Sequence, residues 1–388
     1  MDDSEVRARQ AAVERFLSGE RPTTICSSLG RSTQWFYKWL KRFRQGSDDW
    51  FKERSRRPAG NSRRTAEALE QQVIAVRKEL DAQGLFCGDQ AILWHLEDMS
   101  ARPLPSLRTV ARILERRGLV CNKEKRFVSK GKKYPGLAAA LPGDVHQTDF
   151  VGPCYLKGTV RFHSLHSIDL TTARCAAQPM IDGKTGIIEA MWAVWMRLGL
   201  PRFEQVDNEW VFFGSPAHPR GMGNLIRLCL PLGVEPVFIP IREPWRNGTV
   251  EKFNDHWEQK FFSRTPMESA EQLASESLAF EARHNSRYRY GKLGGKTPMQ
   301  SFALFGIPLR LPPETPPLQR PLPKPTHGRY HLVRFIRSDG LLDIFTEKFK
   351  MPPETQHEYV QATVDVDKQR LLIRKDGQIV DELNYKLR

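Results

Sequence analysis

The sequence predicts a multidomain fold, with all-α helix-turn-helix units at the N-terminus, a central α/β mixed sheet and a small C-terminal β-barrel. Three observations predict it. Apolar residues recur at helical spacing through residue 120, and short β-rich runs alternate with helices over 142–305. Beyond a proline-rich stretch the pattern turns all-β. A chain of 388 residues also exceeds what one hydrophobic core usually serves.

Residues 1–50 read as three short helices, with Gly30 in a tight turn before the run Ser32 to Phe43. Ser32 suits the N-cap of that run, where its hydroxyl can accept an orphan backbone N–H. Trp35, Phe36, Trp39, Leu40 and Phe43 form its apolar stripe, and Lys38, Lys41, Arg42 and Arg44 stay exposed. A three-helix bundle with a solvated basic face explains this segment alone nearly as well as a helix-turn-helix. A second copy over 66–120 favours the helix-turn-helix. Its last helix, Ser106 to Arg117, turns Leu107, Val110, Ile113 and Leu114 inward and Arg108, Arg112, Arg116 and Arg117 outward.

Basic linkers are expected at 51–65 and 121–141. The stretch 101–133 carries eleven Lys or Arg against two acids, Lys130, Lys132 and Lys133 among them. Over the whole chain, 60 Lys and Arg against 45 Asp and Glu leave +15. This excess favours a polyanionic partner, for which a phosphate backbone is the natural counter-charge. No apolar run is long enough to span a membrane and the first residues are acidic, so neither insertion nor secretion is expected. The six cysteines lie far apart with no zinc-site spacing. They are read as reduced and structural.

In 142–305 the strand candidates are Val145–Phe150, Thr159–Ile168, Arg174–Met180, Phe203–Val206 and Pro236–Ile239. Helices are expected at Thr185–Leu198, near Gly223–Leu230 and from Gly248 to Phe262. Pro308 to Pro325 holds eight prolines, and 306–325 reads as a semi-rigid spacer. Five strands punctuated by Asp339-Gly340 and Asp376-Gly377 fit a small barrel at 326–388.

Three segments place an acid where side chains from separate elements can converge: His146-Gln147-Thr148-Asp149-Phe150, Gln205-Val206-Asp207-Asn208-Glu209 and Asn247-Gly248-Thr249-Val250-Glu251. Hard oxygen ligands on three elements suit Mg²⁺. Any one of these acids, taken singly, is more simply a cap or a solvated charge. Together with Pro244-Trp245-Arg246-Asn247-Gly248-Thr249-Val250-Glu251-Lys252-Phe253-Asn254, they resemble the integrase-like DDE transposases of bacterial insertion sequences. The segments Ile168 to Arg174 and His284-Asn285 with Gly294 to Pro298 match that family as well. One departure is the 43 residues between Asp207 and Glu251, a longer gap than is usual in the family.

The resemblance implies a ribonuclease-H-like core in which Asp149, Asp207 and Glu251 are catalytic and hold Mg²⁺, with Mn²⁺ as a substitute. It implies binding of double-stranded DNA, both element ends and target, by a dimer or tetramer, and a bacterial cytoplasmic, nucleoid-associated setting. DNA contacts are expected from Lys38, Arg42, Arg108, Arg112, Arg116, Lys130, Lys132, Lys133, Trp245, Arg246 and Asn247. Trp245 and Arg246 suit stacking on or clamping a DNA end, although a loop that buries Trp245 is nearly as good a reading. Asp169 is expected to fix a turn, and Asp255 and Glu258 to lie on an exposed helix face. The alternative function is a non-catalytic DNA-binding regulator that keeps the fold, and a plain metal-dependent nuclease is a third.

On this reading a fragment spanning 1–140 binds DNA with an affinity that falls steeply as salt rises, because each neutralised phosphate releases counterions. Equal binding by 141–388 alone, in a salt titration, would remove the reading.

Overall fold

The structure is a computed structural model that describes residues 3–53, 65–120, 133–157, 160–181, 183–214, 220–317 and 319–388. The chain divides into two compact units, Met1–Thr65 and Ala66–Arg388. Lys130 and Lys132 lie outside the described residues.

The first unit consists of α1 (Asp3–Leu17), α2 (Pro22–Ser28) and α3 (Thr33–Arg44). Gly30, at φ +61°, supplies the left-handed turn that ends α2. Ser32 then caps α3 by accepting the Trp35 N–H at 3.1 Å. Ala12, Val13, Ile25, Cys26, Phe36 and Leu40 close one small core. Trp39 is buried too, and the cationic ends of Arg9, Lys38 and Arg42 lie 4.1, 4.7 and 4.5 Å from its ring.

The second unit begins with α4 (Glu67–Ala82), α5 (Asp89–Asp98) and α6 (Leu107–Arg116). Then come β1 (Val145–Tyr155), β2 (Arg161–Asp169), β3 (Cys175–Met180), α7 (Ile187–Leu198), β4 (Phe203–Val206), α8 (Trp210–Phe213), α9 (Asn224–Cys229) and β5 (Glu235–Phe238). Helices α10 (Gly248–Lys260), α11 (Ala270–Arg287) and α12 (Pro298–Ala303) precede the last strands. These are β6 (Arg329–Phe335), β7 (Leu341–Ile344), β8 (Glu347–Lys350), β9 (Tyr359–Asp365), β10 (Arg370–Lys375) and β11 (Gln378–Asn384).

β1, β2 and β3 form an antiparallel meander, and β4 and β5 add in parallel on the other side of β1. The order β3-β2-β1-β4-β5 is the ribonuclease-H-like mixed sheet expected. The face covered by α10 and α11 shares one apolar core with α4–α6, where Val76, Leu80, Ile92 and Ile113 meet Phe162, Trp257 and Phe280. The inward stripe of the second helical set is thus spent on covering the sheet. Ion pairs reinforce this docking, with Asp81 held by Lys260 at 3.0 Å and Arg264 at 2.8 Å. The separate domain expected at 66–120 is therefore part of the same compact unit as the sheet.

The C-terminal half adds two observations. The proline-rich stretch, expected as a semi-rigid spacer, is strapped to the core: Leu200 N donates to Arg310 O at 2.6 Å, Arg227 to Leu322 O at 2.7 Å, and Leu322 is buried. The last segment is all-β, but β6 pairs in parallel with β5 at Val237↔His331 and Phe238↔Leu332. With β9, β10 and β11 it extends the central sheet to nine strands, β7 and β8 forming a separate ribbon, and among the described residues no pairing closes a barrel. Strand periodicity shows which residues are extended but not which neighbour they pair with.

A cut at 65 respects this architecture, whereas a cut at 140 bares the apolar face under α4–α6. Fragment 66–388 should stay in solution at concentrations where 141–388 aggregates, as sedimentation of the two would show. Gly295 probes the same docking in the intact chain, since it has φ +78° and a Cβ there would stand 2.9 Å from the Trp94 ring. Gly295→Ala should cost about 1–3 kcal/mol, read as a fall in Tm.

Candidate active site

β1 and β4 run side by side in parallel with Gln147 opposite Gln205. Asp149 and Asp207 each follow two residues later, so parallel register carries both to the same end of adjacent strands. Asp207 Oδ1 accepts the Glu209 N–H at 3.0 Å, which fixes the turn leaving β4. Asp149 is half-buried, and burial followed by the charge of Asp207 pushes its pKa up to about 7, with Glu209 adding in the same direction. The Asn254 amide donates to Asp149 Oδ2 at 2.8 Å and partly offsets that rise.

The glutamines two residues before each acid seat α10. Gln147 Oε1 accepts the Thr249 and Val250 N–H groups at 3.0 and 3.2 Å, capping the first turn. Gln147 and Gln205 both donate to Arg246 O, and Gln205 also donates to Asn247 Oδ1 at 2.9 Å. Asn247 in turn donates to Thr148 O at 3.2 Å. Farther along α10, Asn254 Oδ1 meets His166 Nδ1 at 2.8 Å. Glu251 lies one turn before Asn254, and the i, i+3 relation puts it on the face that reaches Asp149. Among the described residues, no three His, Cys, Asp or Glu side chains stand close enough to hold a metal ion. The structure brings Asp149, Asp207 and Glu209 into mutual electrostatic range and leaves Glu251 on the adjoining helix face.

The donor chemistry still fits a hard divalent cation. The donors are carboxylate oxygens, and Asp149 is held up toward neutrality by burial and by a like charge that a cation would neutralise.

Asn247 is only 2 % exposed and its amide is used inside the protein, which corrects the expectation that it touches DNA. Arg246 is engaged as well: it bonds Glu243 at 2.9 Å and the Tyr359 hydroxyl at 3.1 Å, and it lies 3.9 Å from the centre of the Tyr134 ring. Trp245 is 60 % exposed, which excludes a buried Trp245. Arg108 and Arg112 face solvent, whereas Arg116 pairs with buried Glu70. Lys38 pairs with Glu53 at 3.2 Å, Arg42 donates to Lys52 O at 3.1 Å, and exposed Lys133 pairs with Asp376 at 2.9 Å. Asp169 fixes its turn by accepting the Gly143 N–H at 2.7 Å and the Thr172 N–H at 2.6 Å. Asp255 and Glu258 are exposed on α10. His146 is fully buried 3.7 Å from Asp169.

The sequence reading missed the two glutamines and the partnership of Asn254 with His166. A signal for the first was present, since Gln-x-Asp occurs on both strands at the period that points Gln and Asp to one face.

A family model of the homeodomain-like domain matches residues 3–50. No curated protein matches the chain significantly. Among solved structures it is similar to the simian T-cell lymphotropic virus intasome in complex with PP2A regulatory subunit B56 gamma, at 16 % identity over 80 % of this chain and 97 % of that one, TM-score 0.37. It is similar also to the HTLV-2 integrase catalytic core domain in complex with magnesium, at 16 % identity over 42 % of this chain and 99 % of that one, TM-score 0.33. A third is the catalytic core domain of BIV integrase, at 13 % identity over 42 % and 96 %, TM-score 0.31. The chain joins a homeodomain-like unit to a ribonuclease-H-like mixed sheet.

The raised Asp149 pKa sets a pH dependence in metal-free buffer. The folded chain keeps a proton that the unfolded chain releases above the ordinary 3.8, so Asp149 costs stability progressively from there to about 7. Asp149→Asn removes that cost. Its Tm should match the parent near pH 3.5, rise above it through this window and level off above about pH 7. A Tm difference independent of pH would contradict the burial of this carboxyl.

Proposed function

We propose that the chain is a DNA transposase that binds the terminal inverted repeats of its element, cleaves the 3′ ends and transfers them to target DNA. The observation that carries this is the convergence of Asp149 and Asp207 at one end of β1 and β4, with the Glu251 face of α10 tied to the same strands by Gln147, Gln205 and Asn254. A phosphodiester repels nucleophiles by its charge, and hydrolysing or joining it calls for neutralisation and alignment of the attacking and leaving oxygens. Asp149, Asp207 and Glu251 would hold Mg²⁺, or Mn²⁺ in its place, and the ion when bound supplies that neutralisation.

The remaining work belongs to the chain. Asn254 orients Asp149, the Asp207–Glu209 turn fixes the second acid, and the glutamine pair sets the distance from the sheet to α10. Lys38 and Arg42 in the first unit, and Arg108 and Arg112 on α6, are assigned to phosphate contacts. Arg116 and Lys133 join them where DNA competes for their ion pairs, and Lys130 and Lys132 are assigned to the same role. Exposed Trp245 is assigned to stacking on a frayed end, and Arg246 to clamping it once released from Glu243. A concerted reaction at two ends calls for a dimer or tetramer on DNA. None of the described helices is long and apolar enough to cross a membrane.

Asp149→Asn, Asp207→Asn and Glu251→Gln should each lower end cleavage and strand transfer by orders of magnitude while repeat binding persists. The triple variant should be little worse than the worst single one, because the three act as a unit. Joining at the parental rate in excess chelator, or in Glu251→Gln, would overturn the reading of these acids as metal ligands, whereas repeat binding by the parent with no cleavage or joining would favour a DNA-binding regulator without catalysis. Mn²⁺ should also raise the Tm of the parent, since a ligand bound by the folded state alone stabilises it. Asp149→Asn should lose that rise.

A further inference from the structure

Arg334 stands on β6, a strand of the C-terminal segment, yet its guanidinium reaches past the end of β5 into the turn that carries the second acid. It donates to Asn208 Oδ1 at 2.8 Å, to Ile239 O at 3.0 Å and to Asp343 O at 3.0 Å. Asn208 donates to the same Ile239 carbonyl at 2.6 Å, so the three groups close a ring around the loop ends of β4 and β5. Asn208 sits between Asp207 and Glu209, the two acids that act on Asp149.

Arg334 is 4 % exposed, and among the described residues no carboxylate lies within ion-pair distance of it. Burial lowers its pKa to about 10, so it stays charged at neutral pH. A guanidinium bonded to carbonyls, with the Asp343 charge nearby but no ion pair, pays desolvation where a packed apolar side chain would hold two strands together more simply. What the arginine adds is direction, because its planar fork fixes four acceptors at set angles, the fourth being Val333 O at 2.9 Å.

We propose that Arg334 is a positioning residue for the acid site, acting through Asn208 to hold Asp207 in the orientation that lets it share a divalent cation with Asp149. The proposal rests on the reading of these acids as metal ligands. It makes the C-terminal strands a working part of the site. Two residues from sheet neighbours separated by β5 are linked by a single hydrogen bond, so the bond can be cut from either side.

The test uses the full-length chain and compares Arg334→Lys, Arg334→Met and Asn208→Ala with the parent and with Asp207→Asn. Mn²⁺ affinity is measured by calorimetry, and the Mg²⁺ concentration for half-maximal strand transfer, repeat binding and Tm are measured alongside. Loss of an outer partner of a metal ligand typically weakens metal binding about tenfold to a hundredfold, and that weakening is expected in Arg334→Lys and Asn208→Ala alike, with unchanged repeat binding. Arg334→Met gives the same result if it folds, and the other two variants carry the test if its Tm collapses. Parental Mn²⁺ affinity in folded Arg334→Lys, or an intact Asn208→Ala beside an impaired Arg334→Lys, overturns the proposal. If Asp207→Asn itself binds Mn²⁺ and joins DNA like the parent, the reading of the acids fails instead.

Discussion

The parallel pairing of β1 with β4 is the constraint on which the rest of the site depends. A parallel ladder fixes register residue by residue, so once Gln147 faces Gln205 the two acids that follow have no choice of neighbour. The same ladder aims Gln147 at the first turn of α10, whose N–H groups need acceptors that the helix cannot supply, and Gln205 at Arg246 and Asn247 just ahead of it. The cost of leaving those donors unpaired in a buried place is what locates the helix. Glu251 follows from that docking without any direct bond to the strand acids.

A second carboxyl on this part of the sheet is fully buried. Glu204 on β4 bonds Thr148 at 2.6 Å and the Trp195 indole at 2.9 Å, and burial pushes its pKa up to about 7. It points to the opposite side of the strand from Gln205 and serves the packing of α7. Alternation along one four-residue strand thus turns the Glu204 carboxyl into the α7 side and the Gln205 amide toward Arg246 and Asn247.

How much of this was legible in the sequence varied with the range of the forces involved. Phe203–Val206 and the start of α10 at Gly248 were readable to the residue, because strand periodicity, Ser or Asn caps and Gly turns are local. The three acids were readable only as a set, through spacing and resemblance. Helix α11 escaped notice because its inward face mixes Leu273 and Phe280 with Ser277, Glu281, His284 and Asn285, and these polar groups are satisfied by partners a hundred or more residues away. Arg246 looked like a free cation in sequence, and only the folded chain brings Tyr134, Glu243 and Tyr359 around it. The docking of α4–α6 was hidden for the same reason: an amphipathic stripe does not say what it will cover.

The addition of β6, β9, β10 and β11 has a consequence for local opening. Without them β5 would be an edge strand, with a row of unpaired amides beside the loop that leads to Trp245 and α10. With them, β4 and β5 lie in the interior of a wide sheet, and the free margins fall at β3 and β11. Amide hydrogens of β4 and β5 should therefore exchange with solvent only through large-scale unfolding, while those of β11 exchange by fraying. The second acid thereby follows directly on an interior strand, and a chain truncated at 306 would expose a sticky margin next to it.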